Sequence, residues 1–513
     1  MKKLLGLLAL YIIPASSYAQ EPGDALRMAW TNASGTARTQ AIGGAIGALG
    51  GDISSAYVNP AGLAFYKTGD AVLSFGYKSL STSGTYLGRT EQDRKGNLIF
   101  GTNGFVFGTN TKNRAGKNGS AAFALAINRT ADFNSNILYR GLNNKNSYSN
   151  KFLEEISGEH DANNVAQNYP FGTSLAFNTY WIDTIAGGTS GNYQFQSRAT
   201  VASGLLQENI IDNKGGITEL AIAFAGSSQD KYYYGFTLGL PFMNYERQST
   251  FTEADATTST ANKFDYASIS EYLHTKGSGI NLKLGFSYKP APFVRLGLAV
   301  HTPTFYKLTD HYNASVTTNT ELYKGEQTQS SYLFTNNKDA SFSYYHKTPF
   351  KLIASAAYVL HETEDVKKQK GFLSADIEYI NYSGSTYTRD PQSDNSQSTR
   401  NYLKSLNTAI DNAYQGAINI RVGGELKFTT FMVRGGIAHL GNPYINIAGE
   451  KGSKMQYSGG FGYRNKGFFI DVTYIQTTGT DIHFAYRLEK QSYSGATLKQ
   501  NGGTILFTIG SKI

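Results

Sequence analysis

The chain has 513 residues, 17% of them charged and 40% hydrophobic, a formal net charge of +9 and no cysteine. Without cysteine there are no disulfides, thiolate nucleophiles or Cys-type zinc or iron–sulfur sites, and past the first positions no run of about 20 apolar residues could span a bilayer as a helix. The 55 glycines, 36 tyrosines and 30 phenylalanines instead point to one large β structure.

Lys2 and Lys3 precede an apolar stretch from Leu4 to Ile13, too short for a membrane span. Pro14 ends it, and Ser17-Tyr18-Ala19 places small residues where a signal peptidase reads them, so residues 1–19 are predicted to be a signal peptide. The alternative is an uncleaved anchor. Removing Lys2 and Lys3 takes the charge from +9 to +7, a mild excess spread along the chain, and nucleic acid is not an expected partner of an exported protein. Residues 20–69 show no alternation and hold Gly43-Gly44, Gly47 and Gly50-Gly51. The spacing of Gly44, Gly47 and Gly50 has neither a preceding strand nor a Gly-Lys-Ser/Thr, so a phosphate-binding loop is not expected.

From residue 70 onward, segments of about ten residues alternate apolar and polar side chains. In 280–289, Ile280, Leu282, Leu284, Phe286 and Tyr288 oppose Asn281, Lys283, Gly285, Ser287 and Lys289. In 418–428, Ile418, Ile420, Val422, Leu426 and Phe428 oppose Asn419, Arg421, Gly423, Glu425 and Lys427. Polar faces rich in charge and glycine, with Tyr and Phe near strand ends, favour a membrane barrel over a soluble sandwich. Strands near 70–79, 99–108, 119–130, 217–226, 231–246, 278–289, 293–307, 342–360, 371–382, 415–428, 430–440, 454–464, 467–477 and 503–512 leave long and short connections in alternation, the longest being 131–216. Stretch 263–274 is assigned to a loop, because a further strand would break that alternation. The prediction is an all-β fold: a closed antiparallel transmembrane β-barrel of about 14 strands over 70–513, both termini on the short-turn side. Strand 1 should pair with the apolar last strand, and the Gly-rich 20–69 should fold up inside as a plug.

The run Gly47-Ala48-Leu49-Gly50-Gly51-Asp52 leading to Asn59-Pro60-Ala61-Gly62-Leu63, just after a signal peptide, resembles the FadL/TodX family of outer-membrane transport proteins. Gly279-Ile280-Asn281-Leu282-Lys283-Leu284-Gly285, Arg295-Leu296-Gly297, Thr302-Pro303-Thr304 and Arg421-Val422-Gly423-Gly424-Glu425 extend the resemblance over the mature chain. It implies a barrel in the outer membrane of a Gram-negative-type bacterium, with residues 20–69 as a hatch carrying Asn59, Pro60 and Ala61 as its gate motif. It also implies passive uptake of hydrophobic small molecules such as long-chain fatty acids or aromatic hydrocarbons. Ligand would enter from outside, a hatch movement would open a path, and release would be lateral, near a kinked third strand. The segment 119–130 shows no clear kink, and loop 131–216 is long for the family. Expected partners are the ligand, outer-membrane lipids and the barrel-assembly machinery, with no cofactor and no metal. The alternative is a partner-binding scaffold of the PorV type in protein secretion, without small-molecule transport.

Phe152, Ile156, Phe177 and Trp181 in loop 131–216 are candidates for apolar ligand capture on the outer rim, or else pack that loop onto the barrel. Lys283, Arg295, Arg421, Glu425 and Arg434 fall on lumen faces, with Asp376, Glu378, Lys427 and Asp471. They should brace barrel against hatch, or bind a carboxylate head group. The eight histidines form no His-Glu-x-x-His or other close pair, and no enzyme signature is present. Asp390 and Asp394 lie in a polar loop, a solvated segment rather than a Ca²⁺ site.

Overall fold

The computed structural model describes residues 22–30, 34–112, 118–189, 191–361, 370–394, 396–445 and 452–513. The predicted signal peptide, 1–19, lies outside them, as do parts of the connections 109–118, 361–370 and 441–453. A single antiparallel sheet closes into a barrel of 14 strands, each paired with its sequence neighbours. The first, Asp70–Tyr86, pairs with the last, Ala496–Lys512, from Asp70↔Lys512 to Thr85↔Thr497. Closure is what a lipid environment demands, because an open edge would leave N–H and C=O groups without partners.

Two of the described turns on the side of the termini are tight. Phe428↔Phe431 and Asn465↔Phe468 each close over two residues, with positive φ at Thr429 (50°), Lys466 (47°) and Gly467 (89°). Such turns match the right-handed twist of the flanking strands. At the other end some strands run far past the bilayer. The fourth, fifth and sixth strands, Leu205–Ser228, Tyr232–Asp255 and Tyr266–Ala291, are 24, 24 and 26 residues long.

Stretch 263–274, expected as a loop, is therefore mostly the outer part of the sixth strand, and the strand number stays at 14. It joins 278–289 in one long strand and so adds no further strand to the alternation; the polarity of that strand inverts along its length. Near the turn end Asn281, Lys283 and Ser287 face inward and Ile280, Leu284 and Phe286 outward. Further out, the same inward face carries Ala267, Ile269 and Leu273, and the outward face Ser268, Ser270 and His274. Lipid outside and a polar lumen give way to water outside and an apolar plugged mouth.

Further corrections concern four strands. The third strand (Asn118–Asp132, Ser135–Asn143) continues past 130, and the fourth starts at Leu205, so the large loop is 144–204. The seventh strand breaks between Val294–His301 and Phe305–Asn319, and the eighth between Ala340–Lys347 and Lys351–Leu360. Pro303 and Pro349 sit in those breaks and have no N–H for the ladder.

Loop 144–204 folds over the mouth with helices Ser149–Glu155, Ala162–Asn168 and Thr173–Asn178, beside helix Gln397–Ala413 from the ninth-to-tenth connection. Tyr148, Phe152, Leu175 and Trp181 join Phe251, Tyr245 and Ile410 in one buried cluster. Each such side chain adds about 1.5–3 kcal/mol on burial. Glu253, fully buried at the outer end of the fifth strand, accepts from Ser147 Oγ, Tyr148 N (3.0 Å), Trp181 Nε1 (2.9 Å) and Gln207 Nε2 (3.0 Å). Burial pushes this carboxyl above the usual carboxylate range, against the pull of those donors.

Candidate functional site

Residues Ser34–Tyr66 are almost entirely buried and lie against the lumen faces of the wall. Asn59 is extended (φ −138°, ψ 100°), as the following proline requires, and caps the 3₁₀ helix Pro60–Phe65 by accepting from Ala61 N at 3.2 Å. Its Nδ2 donates to Gly47 O (2.6 Å), Phe286 O (3.2 Å) and Ser287 Oγ (3.2 Å). The wall admits this turn through glycine. A Cβ on Gly285 would stand 2.0 Å from Asn59 Oδ1, and one on Gly297 2.5 Å from Gly47 O. Lumen-facing glycines on adjacent strands were the sequence signal for this dock; sequence reasoning put Gly285 on a polar face and took both glycines as part of the family resemblance, without a docking role.

The charged lumen residues form pairs around the segment. Lys283 bonds Glu219, and Arg421 bonds Glu378 at 2.8 Å. Arg434 bridges Glu425 (2.6 Å) and Asp471 (2.5 Å), while Arg38 from the N-terminal segment reaches Glu425 at 3.6 Å. Arg295 donates to Leu49 O at 2.6 Å and lies over the Phe65 ring. A buried pair of this kind is costly to break, because the partner left behind is an unpaired charge.

Above the segment is a cavity of about 850 Å³, bounded by helix Pro22–Ala29, the ends of the outer strands and residues 482–487. Leu26, Trp30, Leu80, Ile137, Ile211 and Leu498 are among its apolar lining. Seven basic side chains line it (Arg27, Lys78, Arg129, Lys151, Arg247, Lys454 and Arg487) against two acids, Asp132 and Asp481. Lys454 Nζ stands 3.6 Å from the centroid of the Trp30 ring. Burial lowers Lys454 to about 8, opposed by Asp481. Burial, with Arg247, Arg27 and Arg487 around it, holds His483 down at about 3.

One side of the cavity is a seam in the barrel wall. The second strand is Arg89–Phe100 and Asn103–Lys112, and its inner half pairs with the third from Asn103↔Ile127. Beyond that point Arg89–Phe100 pairs only with the first strand, and 128–143 only with the fourth. The third strand carries a register shift between Arg129 and Ala131 and a break at Phe133-Asn134. Side chains cross the seam instead of ladder bonds: Asn97 Nδ2 donates to Asp132 (2.9 Å), Lys78 pairs with Asp132 (3.5 Å), and Asn136 donates to Asp93 (3.2 Å). The N-terminal segment touches both lips. Asn128 Nδ2 donates to Ser34 Oγ (2.9 Å), and Thr102 N to Gly35 O (3.3 Å).

This closed barrel, with its interrupted third strand and internal N-terminal segment, matches solved structures over nearly its whole length. A Pseudomonas aeruginosa FadL homologue aligns over 94% of this chain and 99% of its own at 14% identity, with a TM-score of 0.52. The fold is that of the FadL-type barrels. The deltaS2 mutant of the TodX monoaromatic hydrocarbon channel aligns over 93% of this chain and 98% of its own at 12% identity, TM-score 0.50. No family model matches the sequence, and no curated protein matches it.

Of the candidate capture residues, Phe152, Ile156 and Trp181 are buried within the folded loop, and Phe177 packs on Phe195. None of the four lines the cavity. The seam and the basic lining were not found from sequence, since both depend on which distant strands meet.

Proposed function

We propose that the chain is an outer-membrane channel for passive uptake of hydrophobic small molecules, long-chain fatty acids among them, with sideways release through the seam between the second and third strands. The observation that carries this reading is the continuity of cavity and seam: Ile99 and Phe100 on one lip and Phe133 and Ile137 on the other belong to the cavity lining. Moving apolar surface into water costs about 25 cal/mol per Å². The way down is filled by the N-terminal segment and its ion pairs, so the short apolar exit is through the wall. The basic lining suits a carboxylate head group, with Arg27 and Lys454 beside apolar side chains that suit the chain.

In this reading Asn59, Pro60 and Ala61 hold the hatch docked, and Ser34-Gly35 ties hatch position to seam width. Phe152, Ile156, Phe177 and Trp181 keep the loop cap in place. Cells making the protein are expected to accumulate labelled oleate faster than cells without it, with no gain for a labelled sugar of similar mass. Equal oleate rates with a correctly assembled barrel would remove the proposal and leave the scaffold reading.

A further inference from the structure

On the outer surface of the barrel, strands 1, 2, 13 (Phe468–His483) and 14 share a trough of about 440 Å³ that belongs to neither cavity nor seam. The pairing registers set its side chains in rows. The lowest row is Leu98, Tyr77, Ile505 and Tyr474, all exposed and apolar or aromatic, above the stacked Phe75 and Phe507. The next is Gly96, Ser79, Gly503 and Gln476, where small residues hollow the wall. Then come Arg94, Ser81 and Asn501, and beyond them Gln92, Ser83 and Lys499. Tyr77 leans over Gly96, Tyr474 Oη donates to Gln476 Oε1 (2.6 Å), and Gln92 donates to Ser81 Oγ (2.6 Å).

Arg94 and Lys499 are exposed, and neither makes an ion pair among the described residues. The acids of the second strand, Glu91 and Asp93, are on its other face, bonded to Arg140 and Asn136. The trough thus offers an apolar floor at bilayer depth, a rim of hydroxyl and amide groups, and two cations one row further out. Interfacial tyrosines mark the depth at which lipid head groups begin.

We propose that this trough binds a phosphate-bearing lipid of the surrounding membrane leaflet. Its acyl chains lie along Tyr77, Phe75, Phe507 and Ile505, and its phosphate is held by Arg94 and Lys499 with the Ser79 and Ser81 hydroxyls. The proposal rests on the barrel spanning a membrane and is independent of transport: it stands or falls by lipid binding, whatever the uptake result.

The test uses the full-length protein in detergent, titrated with dioleoyl phosphatidic acid and read by native mass spectrometry. The expected result is a bound lipid, with dioleoylglycerol, which lacks the phosphate, at least about tenfold weaker. Arg94→Gln with Lys499→Gln should weaken phosphatidic acid about thirtyfold, at roughly one basic group's contribution each. Arg94→Lys with native Lys499 should retain most of the binding, and heat-dependent gel mobility should show every variant assembled. Undiminished binding by the double variant, equal binding of dioleoylglycerol, or full displacement by millimolar inorganic phosphate would each overturn the proposal, the last by showing a phosphate site and not a lipid site.

Discussion

Replacing Asn59 by alanine removes four hydrogen bonds at one buried point. The cap on Ala61 N is worth about 1 kcal/mol. The Nδ2 donor leaves Gly47 O, at 2.6 Å and without solvent, to find another partner, at a cost of about 1–3 kcal/mol. The strands remain paired, so the loss of about 2–4 kcal/mol falls on docking of the N-terminal segment and not on closure of the barrel. A shift of that size moves the docked-to-undocked ratio by about 30- to 1000-fold. Amide hydrogen exchange should rise by that factor over 43–63, while the strands keep their protection. Asn59→Ser, which can still cap Ala61, should recover about 1 kcal/mol of it. Labelled oleate uptake should change in the same order as exchange. An Asn59→Ala protein with a folded barrel, unchanged exchange over 43–63 and unchanged uptake would refute the argument.

Two other perturbations test separate parts of the molecule. Glu253→Ala leaves the donors of Ser147, Tyr148, Trp181 and Gln207 without an acceptor, so loop 144–204 should become protease-sensitive while the barrel stays heat-resistant, a loss of about 2–4 kcal/mol in the loop alone. Lys454, lowered to about 8, is charged below that pH and neutral above it, so affinity for oleate should fall about tenfold as pH rises through 8. Bound carboxylate should move that midpoint upward, and uncharged oleyl alcohol should show no such step. Trp30 fluorescence in a Trp181→Phe background reads both, because these are the chain's 2 tryptophans; a Lys454→Met protein that keeps the step would assign it elsewhere.

How far the sequence revealed the molecule depended on whether one strand carried the signal by itself. In 418–428 it did: Ile418, Ile420, Val422 and Leu426 face outward, and Asn419, Arg421 and Glu425 are buried. The closing pair of first and last strands followed from the same alternation. Stretch 263–274 reads as a loop from sequence because an extra strand would break the alternation of connections; it is instead mostly the outer part of the sixth strand, where the rule changes sign and Ala267, Ile269 and Leu273 line the inward face. Pro349 was a legible reason to divide 342–360, and Pro303 to divide 293–307. The seam was not legible. The segment Arg89–Phe100 is an ordinary strand pairing with the first; what opens the wall is that 128–143 turns away with the fourth strand. Nor was the cavity, whose seven basic residues come from seven different segments brought together only by closure of the barrel.

The central claim is that ligand leaves through the seam, and its lips can be tied. The chain has no cysteine, so Asn97→Cys with Asp132→Cys gives a unique pair at positions whose side chains touch at 2.9 Å. Oleate uptake should be measured in this protein before and after a short bis-maleimide cross-link, with each single-cysteine protein treated alike. The account predicts that the cross-linked pair loses most of its uptake while oleate still binds in the cavity, and that the single-cysteine proteins are unaffected. Full uptake through a completely cross-linked seam would contradict it.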